Sequence, residues 1–197
     1  MHLSEEEIDA LNETVNIGVG RAASSLSELI GSRISLRIPQ IRVESSMPEN
    51  NPEQRGMSVV QSFRGDVSGN ALLVFPVESG QKLAAVLGGY EEGEAIADFE
   101  LAGILSEIGN IVLNGVLGSL ANAIDADLEY RVPEFYFKDS LPDLVDSKAD
   151  DSSEVGSILI ADTDFSVDDS DVHGSVVIAF RLGSLTSLLS RLLAIYA

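Results

Sequence analysis

The sequence predicts an α+β fold built from two copies of one unit, each with the order helix, strand, strand, strand, helix. Three observations predict this fold: a pattern that recurs after 94 positions, a long amphipathic stretch at the start of each copy, and alternating apolar stretches joined by turn residues. Strands joined by short turns run antiparallel. We therefore expect a largely antiparallel sheet, two long helices packed on it, and pseudo-two-fold symmetry between the halves.

The repeated pattern is Glu, two residues, Asn, 22 residues and Pro. Its members lie 94 positions apart in the two copies: Glu13 and Glu107, Asn16 and Asn110, Pro39 and Pro133. Nine of the 31 aligned positions, 9–39 against 103–133, are identical without a gap. Unrelated helices would share apolar positions but not this register, so we infer an internal duplication. We expect 1–197 to form one domain of two intertwined halves, about 1–92 and 93–197.

The first long helix is predicted to begin after Ser4, which forms a capping box with Glu7, and to end at Gly31. Apolar residues recur along it with helical periodicity. They are Ile8, Leu11, Val15, Val19, Ala22, Leu26, Leu29 and Ile30. A polar stripe lies on another face and consists of Asp9, Glu13, Asn16 and Gly20.

The remainder of the first half alternates strands with turn residues. Residues 34–43 predict a strand that Pro39 interrupts, and because proline has no N–H to donate, we expect a sheet edge or a bulge there. Residues 45–55 predict a loop and 67–70 a turn. Two further strands are predicted at 57–66 and 71–75, followed by a helix at 78–87.

The second half repeats this plan. A long helix is predicted over 95–124, alternation over 128–132 leads to Pro133, and the acidic stretch 138–154 predicts a solvated loop. Strands are predicted at 157–161 and 174–180, and the second resembles 69–75 of the first half. Residues 167–172 predict a turn or a polar hairpin end, and the last helix is predicted over 182–196.

The composition excludes several classes of function. The formal net charge of −20, from 32 acidic and 12 basic residues, would repel nucleic acid. A solvated acidic surface resists aggregation, and low Lys with abundant Asp and Glu is of halophilic type. There is no Cys, and His2 and His173 are the two histidines, which argues against a Ser-His-Asp triad or a His-based zinc site.

No apolar run approaches the ~20 residues of a membrane span, and the acidic N-terminus lacks the features of a signal peptide. We therefore expect a cytoplasmic protein that does not enter a membrane.

Glu and Asn three residues apart lie side by side on a helix, with Cβ atoms ~5–6 Å apart. On one helix alone, such a pair is an ordinary feature of a solvated surface. The repeated Asn is the informative member, because its side chain competes for backbone hydrogen bonds and lowers helix propensity. One explanation is a side-chain bond to the neighbouring backbone. The other is an amide presented outward to a partner.

An outward amide can hold a water molecule in a fixed direction, as a glutamine does in GTP hydrolysis. The Glu could act as a base or pair with a cation on a partner. The sequence offers no nearby His, phosphate cradle or metal cluster. We therefore expect the chain to complete an active site that another protein holds.

The pattern resembles the CheC family of chemotaxis phosphatases, which includes CheC, CheX and the phosphatase half of FliY. The family motif is Asp or Ser, three residues, Glu, two residues, Asn, 22 residues and Pro. The first copy matches fully and the second at all but its first position: Asp9, Glu13, Asn16 and Pro39; Gly103, Glu107, Asn110 and Pro133. Two motifs resemble two-site CheC more than single-site CheX. We see no N-terminal extension of the kind that FliY would need for a motor.

The resemblance implies a CheC-like fold and dephosphorylation of a phosphorylated CheY-type response regulator. It implies that Asn16 and Asn110 orient the attacking water and that Glu13 and Glu107 pair with the regulator's conserved lysine. The chain would need no cofactor of its own, because Mg²⁺ and the aspartyl phosphate belong to the regulator. The resemblance also implies binding to the receptor deamidase CheD.

Two departures from the family pattern bear on this prediction. Gly103 removes the first polar member of the second motif, which would weaken docking there. Val15 stands where relatives often carry Gly, and its branched side chain could crowd a partner. We expect both sites to act, with some preference for the complete first one.

Two alternatives stay open. One is a non-catalytic adaptor of the same fold that binds the deamidase or the regulator, for which the acidic stretch 143–151 could steer a basic partner. The other is an unrelated scaffold with fortuitous motifs.

Overall fold

The computed structural model describes residues 3–31, 33–45, 56–91, 94–137, 139–147, 155–167 and 170–196. Within these ranges lie five helices: α1 (Glu5–Ile30), α2 (Val77–Gly88), α3 (Asp98–Ala123), α4 (Leu141–Ser147) and α5 (Ser184–Tyr196). Seven strands accompany them: β1 (Ile34–Glu44), β2 (Met57–Gly65), β3 (Gly69–Phe75), β4 (Leu128–Tyr130), β5 (Glu134–Phe137), β6 (Val155–Val167) and β7 (Ser170–Arg181).

The seven strands form one antiparallel sheet in the order β1-β6-β7-β3-β2-β4, with β5 also paired to β2. The predicted α+β class and antiparallel sheet are confirmed. The sheet centre joins β3 of the first half to β7 of the second. The edge strands cross between the halves. Strand β1 of the first half pairs with β6 of the second, and β4 and β5 of the second half pair with β2 of the first. This exchange of edge strands interlocks the halves.

Both motif prolines lie where an edge strand is interrupted. The register of β1 against β6 shifts between Arg37 and Gln40, which brackets Pro39, as the missing N–H of proline predicts. At the other edge, residues 131–133, which end in Pro133, separate β4 from β5. The sequence prediction of an edge or a bulge at Pro39 is confirmed.

The larger hydrophobic core joins the two long helices to one face of the sheet. Its fully buried members include Leu11 and Val15 of α1 and Leu105 and Val112 of α3. Burial of one Leu or Val side chain stabilises the fold by about 1.5–3 kcal/mol. The helical periodicity of the sequence therefore identified most of the face that holds α1 on the sheet, whereas the predicted core residues Ile8 and Leu29 are exposed.

The two long helices touch backbone to backbone at a pair of glycines. A Cβ atom built on Gly18 would lie 2.6 Å from the carbonyl oxygen of Gly115, and one built on Gly115 would lie 2.8 Å from that of Gly18. Both glycines are needed for this approach. The close contact fixes α1 against α3 and so fixes the spacing between the motifs that they carry.

The predicted loop 138–154 is wrong in part, because α4 forms inside it. Leu144 and Val145 of α4 are buried in a second apolar cluster on the opposite face of the sheet. The Asn70 side chain donates to the Val145 carbonyl at 2.9 Å, which ties α4 to β3. The sequence did not predict this helix, because the segment is acidic and its two buried apolar residues are too few to show helical periodicity. The polar hairpin end predicted at 167–172 is confirmed, since β6 runs to Val167, β7 begins at Ser170 and these two residues are paired.

By length and composition alone, α3 is apolar enough to cross a membrane, in contrast to the prediction that no segment would be. This is weak evidence, because buried core helices pass the same test. Eleven residues of α3 are buried within the fold.

Candidate functional site

The first helix site consists of Asp9, Glu13 and Asn16 on α1, and all three side chains are exposed. Its neighbours along the helix, Leu11 and Val15, are buried. The prediction that the polar stripe faces away from the core is therefore confirmed. The Ser4 capping box fixes the start of this helix: the Glu7 amide donates to the Ser4 hydroxyl at 3.2 Å, and the Ser4 amide donates to the Glu7 carboxylate at 2.7 Å.

The second helix site consists of Gly103, Glu107 and Asn110 on α3. Gly103 and Glu107 are exposed, whereas Asn110 is half-buried. A Cβ atom built on Gly103 would meet no heavy atom within 4 Å, so the missing first side chain leaves open space. The two sites thus share their backbone frame but differ in the exposure of the amide.

A chain of amide hydrogen bonds lies beneath the second site. The Asn114 Nδ2 donates to the Asn110 Oδ1 at 2.8 Å, and the Gln61 Nε2 donates to the Asn114 Oδ1 at 3.1 Å and to the Arg131 carbonyl oxygen at 3.1 Å. Gln61 is 1% exposed. Sequence reasoning missed both Gln61 and Asn114. The spacing of four residues between Asn110 and Asn114 was the one available signal, because such residues are neighbours on a helix.

Gly109 lets α3 approach strand β2 beside this network. A Cβ atom at Gly109 would lie 2.4 Å from the Val59 side chain, and Val59 and Gln61 point to the same side of β2 because they are two residues apart. The equivalent residue of α1 is Val15, which is fully buried. The expectation that Val15 could crowd a partner is therefore wrong, because its side chain faces the core.

The surroundings of the second site are more apolar than those of the first. Phe99, four residues before Gly103, is 77% exposed, whereas the equivalent position on α1 holds the exposed Glu5. On edge strand β4, desolvation by burial raises the pKa of the Tyr130 hydroxyl. The first site offers three carboxylates along its stripe, and the second offers one carboxylate and an aromatic ring.

Among the described residues, no three His, Cys, Asp or Glu side chains are placed to hold a metal ion. A cavity of about 360 Å³ opens on the far face of the sheet, beside α4. There His173 lies 2.7 Å from Asp164, while the Ser175 hydroxyl donates to Asp162 at 3.1 Å. Since Ser175 is bonded to another carboxylate, these residues do not form the serine–histidine pair of a nucleophilic triad.

The described elements have the fold of chemotaxis and flagellar switch proteins. The chain is similar to the crystal structure of Thermotoga maritima FliY, with a TM-score of 0.73 and 20% identity over 98% of this chain and 99% of that one. It also resembles CheX in the CheX-CheY-BeF3-Mg²⁺ complex from Borrelia burgdorferi, with a TM-score of 0.51 and 21% identity over 83% of this chain and 96% of that one. At these identities the similarity shows the fold.

Two sequence relatives are named as CheY-P phosphatases. The chain is 26% identical over 140 residues to the CheY-P phosphatase CheC of Bacillus subtilis, which is 67% of this chain and 66% of that protein. It is 27% identical over 133 residues to the putative CheY-P phosphatase CheC1 of Halobacterium salinarum, which is 64% of this chain and 67% of that protein. No protein-family model matches the chain. In sequence and in fold, the chain is therefore similar to chemotaxis proteins of the CheC, CheX and FliY type.

Proposed function

We propose that the chain is a cytoplasmic phosphatase of the two-site CheC type, which hydrolyses the aspartyl phosphate of a CheY-type response regulator. One observation carries the proposal: each long helix presents a Glu and an Asn three residues apart on its outer side, in a family whose sequence relatives bear the name CheY-P phosphatase. The regulator supplies the phosphate and Mg²⁺, and this chain needs no cofactor of its own.

In this mechanism, the amides of Asn16 and Asn110 enter the regulator's active centre and orient the attacking water. An amide neither gains nor loses a proton near pH 7, so its contribution is positioning. The carboxylates of Glu13 and Glu107 anchor the regulator through its lysine, and a charge-assisted hydrogen bond favours this pair. Water attacks phosphorus, the bond from phosphorus to the aspartate oxygen breaks, and inorganic phosphate leaves.

The experiment is phosphate release from the phosphorylated regulator with four proteins: wild type, Asn16→Ala, Asn110→Ala and the double variant. The double variant should fall to the regulator's own rate while it still binds regulator loaded with beryllium fluoride. Asn122→Ala is the matched control, because Asn122 is an exposed Asn that lies on α3, as Asn110 does, but outside the site. Unchanged hydrolysis by the double variant would contradict the proposal.

The second candidate is a non-catalytic adaptor that binds the regulator or a CheD-type deamidase. It is favoured by the fold shared with FliM, which was solved in complexes with SpeE and with FliG from Helicobacter pylori. An adaptor would bind the loaded regulator without raising phosphate release, and both Asn variants would leave that release unchanged. The same four-protein series therefore separates the two candidates.

A further inference from the structure

We propose that Asn114 and Gln61 are positioning residues of the second helix site, which hold the Asn110 amide in one orientation for the attacking water. This inference rests on the proposed function and deepens it. It makes the second site the faster of the two, although its motif lacks the first polar residue.

The orientation of the network is fixed from its buried end. The partner of Gln61 at that end is the backbone carbonyl of Arg131, 3.1 Å away. A backbone carbonyl can only accept a hydrogen bond, so the Gln61 atom that faces it must be the Nε2 donor. The Gln61 amide therefore has one allowed orientation.

Each later bond follows from the first. The same Gln61 Nε2 faces Asn114, whose facing atom must be the acceptor Oδ1. The other end of the Asn114 amide, Nδ2, then faces Asn110 and requires its acceptor Oδ1. Asn110 is left with both Nδ2 protons and one lone pair of its oxygen for a partner. A water molecule bound to Asn110 would therefore always face the Nδ2 donors from the same direction.

The interrupted edge strand supplies the anchor. Strand β2 pairs with β4 up to Tyr130, the Arg131 N–H still donates to the Ser62 carbonyl at 2.9 Å, and pairing resumes with β5 at Glu134. The Arg131 carbonyl is therefore available to the Gln61 side chain. Pro133 cannot donate a backbone N–H and helps to keep this gap. Pro133 is thus connected to the second site through the Arg131 carbonyl that accepts the Gln61 hydrogen bond.

Stability alone does not explain Gln61. Its Oε1 atom is buried and has no hydrogen-bond partner among the residues that the structure describes. A buried acceptor left in this state is unfavourable, and an apolar residue of similar size would avoid the cost. A role in orienting Asn114 accounts for a polar side chain at this buried position.

The first site lacks the whole network. The α1 residue equivalent to Asn114 is Gly20, and a Cβ atom there would meet nothing within 4 Å. Gln61 lies opposite Ala71 in the β2–β3 ladder, and the equivalent place opposite Val176 in the β6–β7 ladder holds Ala161. The Asn16 side chain is exposed and makes no hydrogen bond to the residues that the structure describes. It is free to rotate.

The test uses the Asn16→Ala protein, in which the second site acts alone. In this background we expect Asn114→Ala to lower kcat about tenfold and to leave KM for the phosphorylated regulator within about twofold. Asn114→Asp keeps the shape but loses the donor at neutral pH, so it should cause the same loss. Gln61→Met, which keeps the length and removes both polar ends, should act in the same direction.

Three outcomes decide the proposal. Full kcat in the Asn114→Asp variant, or a higher KM with unchanged kcat, would overturn it, because packing or docking would then explain Asn114. In the Asn110→Ala background the second site is already inactive, so Asn114→Ala should leave the remaining phosphate release unchanged. Asn122→Ala is the neutral control in both backgrounds. Failure of the proposed function is distinguishable, because the Asn16→Ala, Asn110→Ala double variant would then match wild type.

Discussion

The two helix sites repeat one frame with different support. Asn16 stands exposed on α1 with three carboxylates along its stripe, Glu5, Asp9 and Glu13. Asn110 is half-buried on α3, where the Asn114 amide donates to it and the Gln61 amide donates to Asn114. The difference teaches that two copies of one motif can keep the same Glu and Asn while their surroundings diverge. Under the proposed function, the first site favours electrostatic attraction of the partner and the second favours a fixed amide.

The first prediction concerns salt, where we expect the largest difference. Docking at the first site should depend on three carboxylates and docking at the second on Glu107 with Phe99. Raising ionic strength from about 0.1 to 0.5 M shortens the screening length to a few Å. KM of the Asn110→Ala protein should then rise about tenfold, and KM of the Asn16→Ala protein about threefold or less. Steady-state phosphate release at both salt concentrations measures this.

Phe99→Glu provides the matched control for salt, because it gives the second site the residue that the first site carries. It should bring the salt dependence of the second site toward that of the first. Equal salt dependence of KM in the two single-site proteins would contradict the claim that docking at the first site depends more on charge.

The second prediction restores the missing motif residue. Gly103→Asp places a carboxylate in open space on the second site, so KM of the Asn16→Ala protein should fall two- to threefold at low salt while kcat stays constant. The control is Gly103→Ala, which should stabilise the fold by up to about 1 kcal/mol through helix propensity and leave KM unchanged. A change of kcat in the Asp variant would show that this position does more than dock the partner.

The third and smallest effect is expected at the first site. Gly20→Asn in the Asn110→Ala protein places an amide four residues after Asn16, as Asn114 follows Asn110. Ala161 occupies the place of Gln61, so nothing anchors the new amide, and kcat should change by less than about twofold. Turnover that rises to the level of the second site would show that a helix neighbour alone is enough.

Much of this architecture could be predicted from local sequence signals. Helical periodicity identified most of the buried face of α1, the capping box located the start of that helix, and Pro39 predicted an irregular edge strand. The spacing of Glu13 and Asn16 placed both on the outer side of their helix. These predictions succeed because each depends on residues within a few turns of one another.

The supporting network could not be predicted in the same way. Gln61 lies 53 residues from Asn114 in sequence and meets it because α3 of the second half packs on β2 of the first. The missed helix α4 has a related cause, since its buried Leu144 and Val145 pack on strands of both halves. Which side chain supports a site depends on strand pairing between distant segments. The halophilic character inferred from composition stays a prediction, although one relative belongs to Halobacterium salinarum.

The most direct test of the account compares the two single-site proteins at saturating regulator concentration. Phosphate release is followed for Asn16→Ala and for Asn110→Ala under identical conditions. The account predicts that Asn16→Ala, which keeps the supported amide, turns over at least about threefold faster than Asn110→Ala. Equal rates, or a faster Asn110→Ala protein, would contradict it.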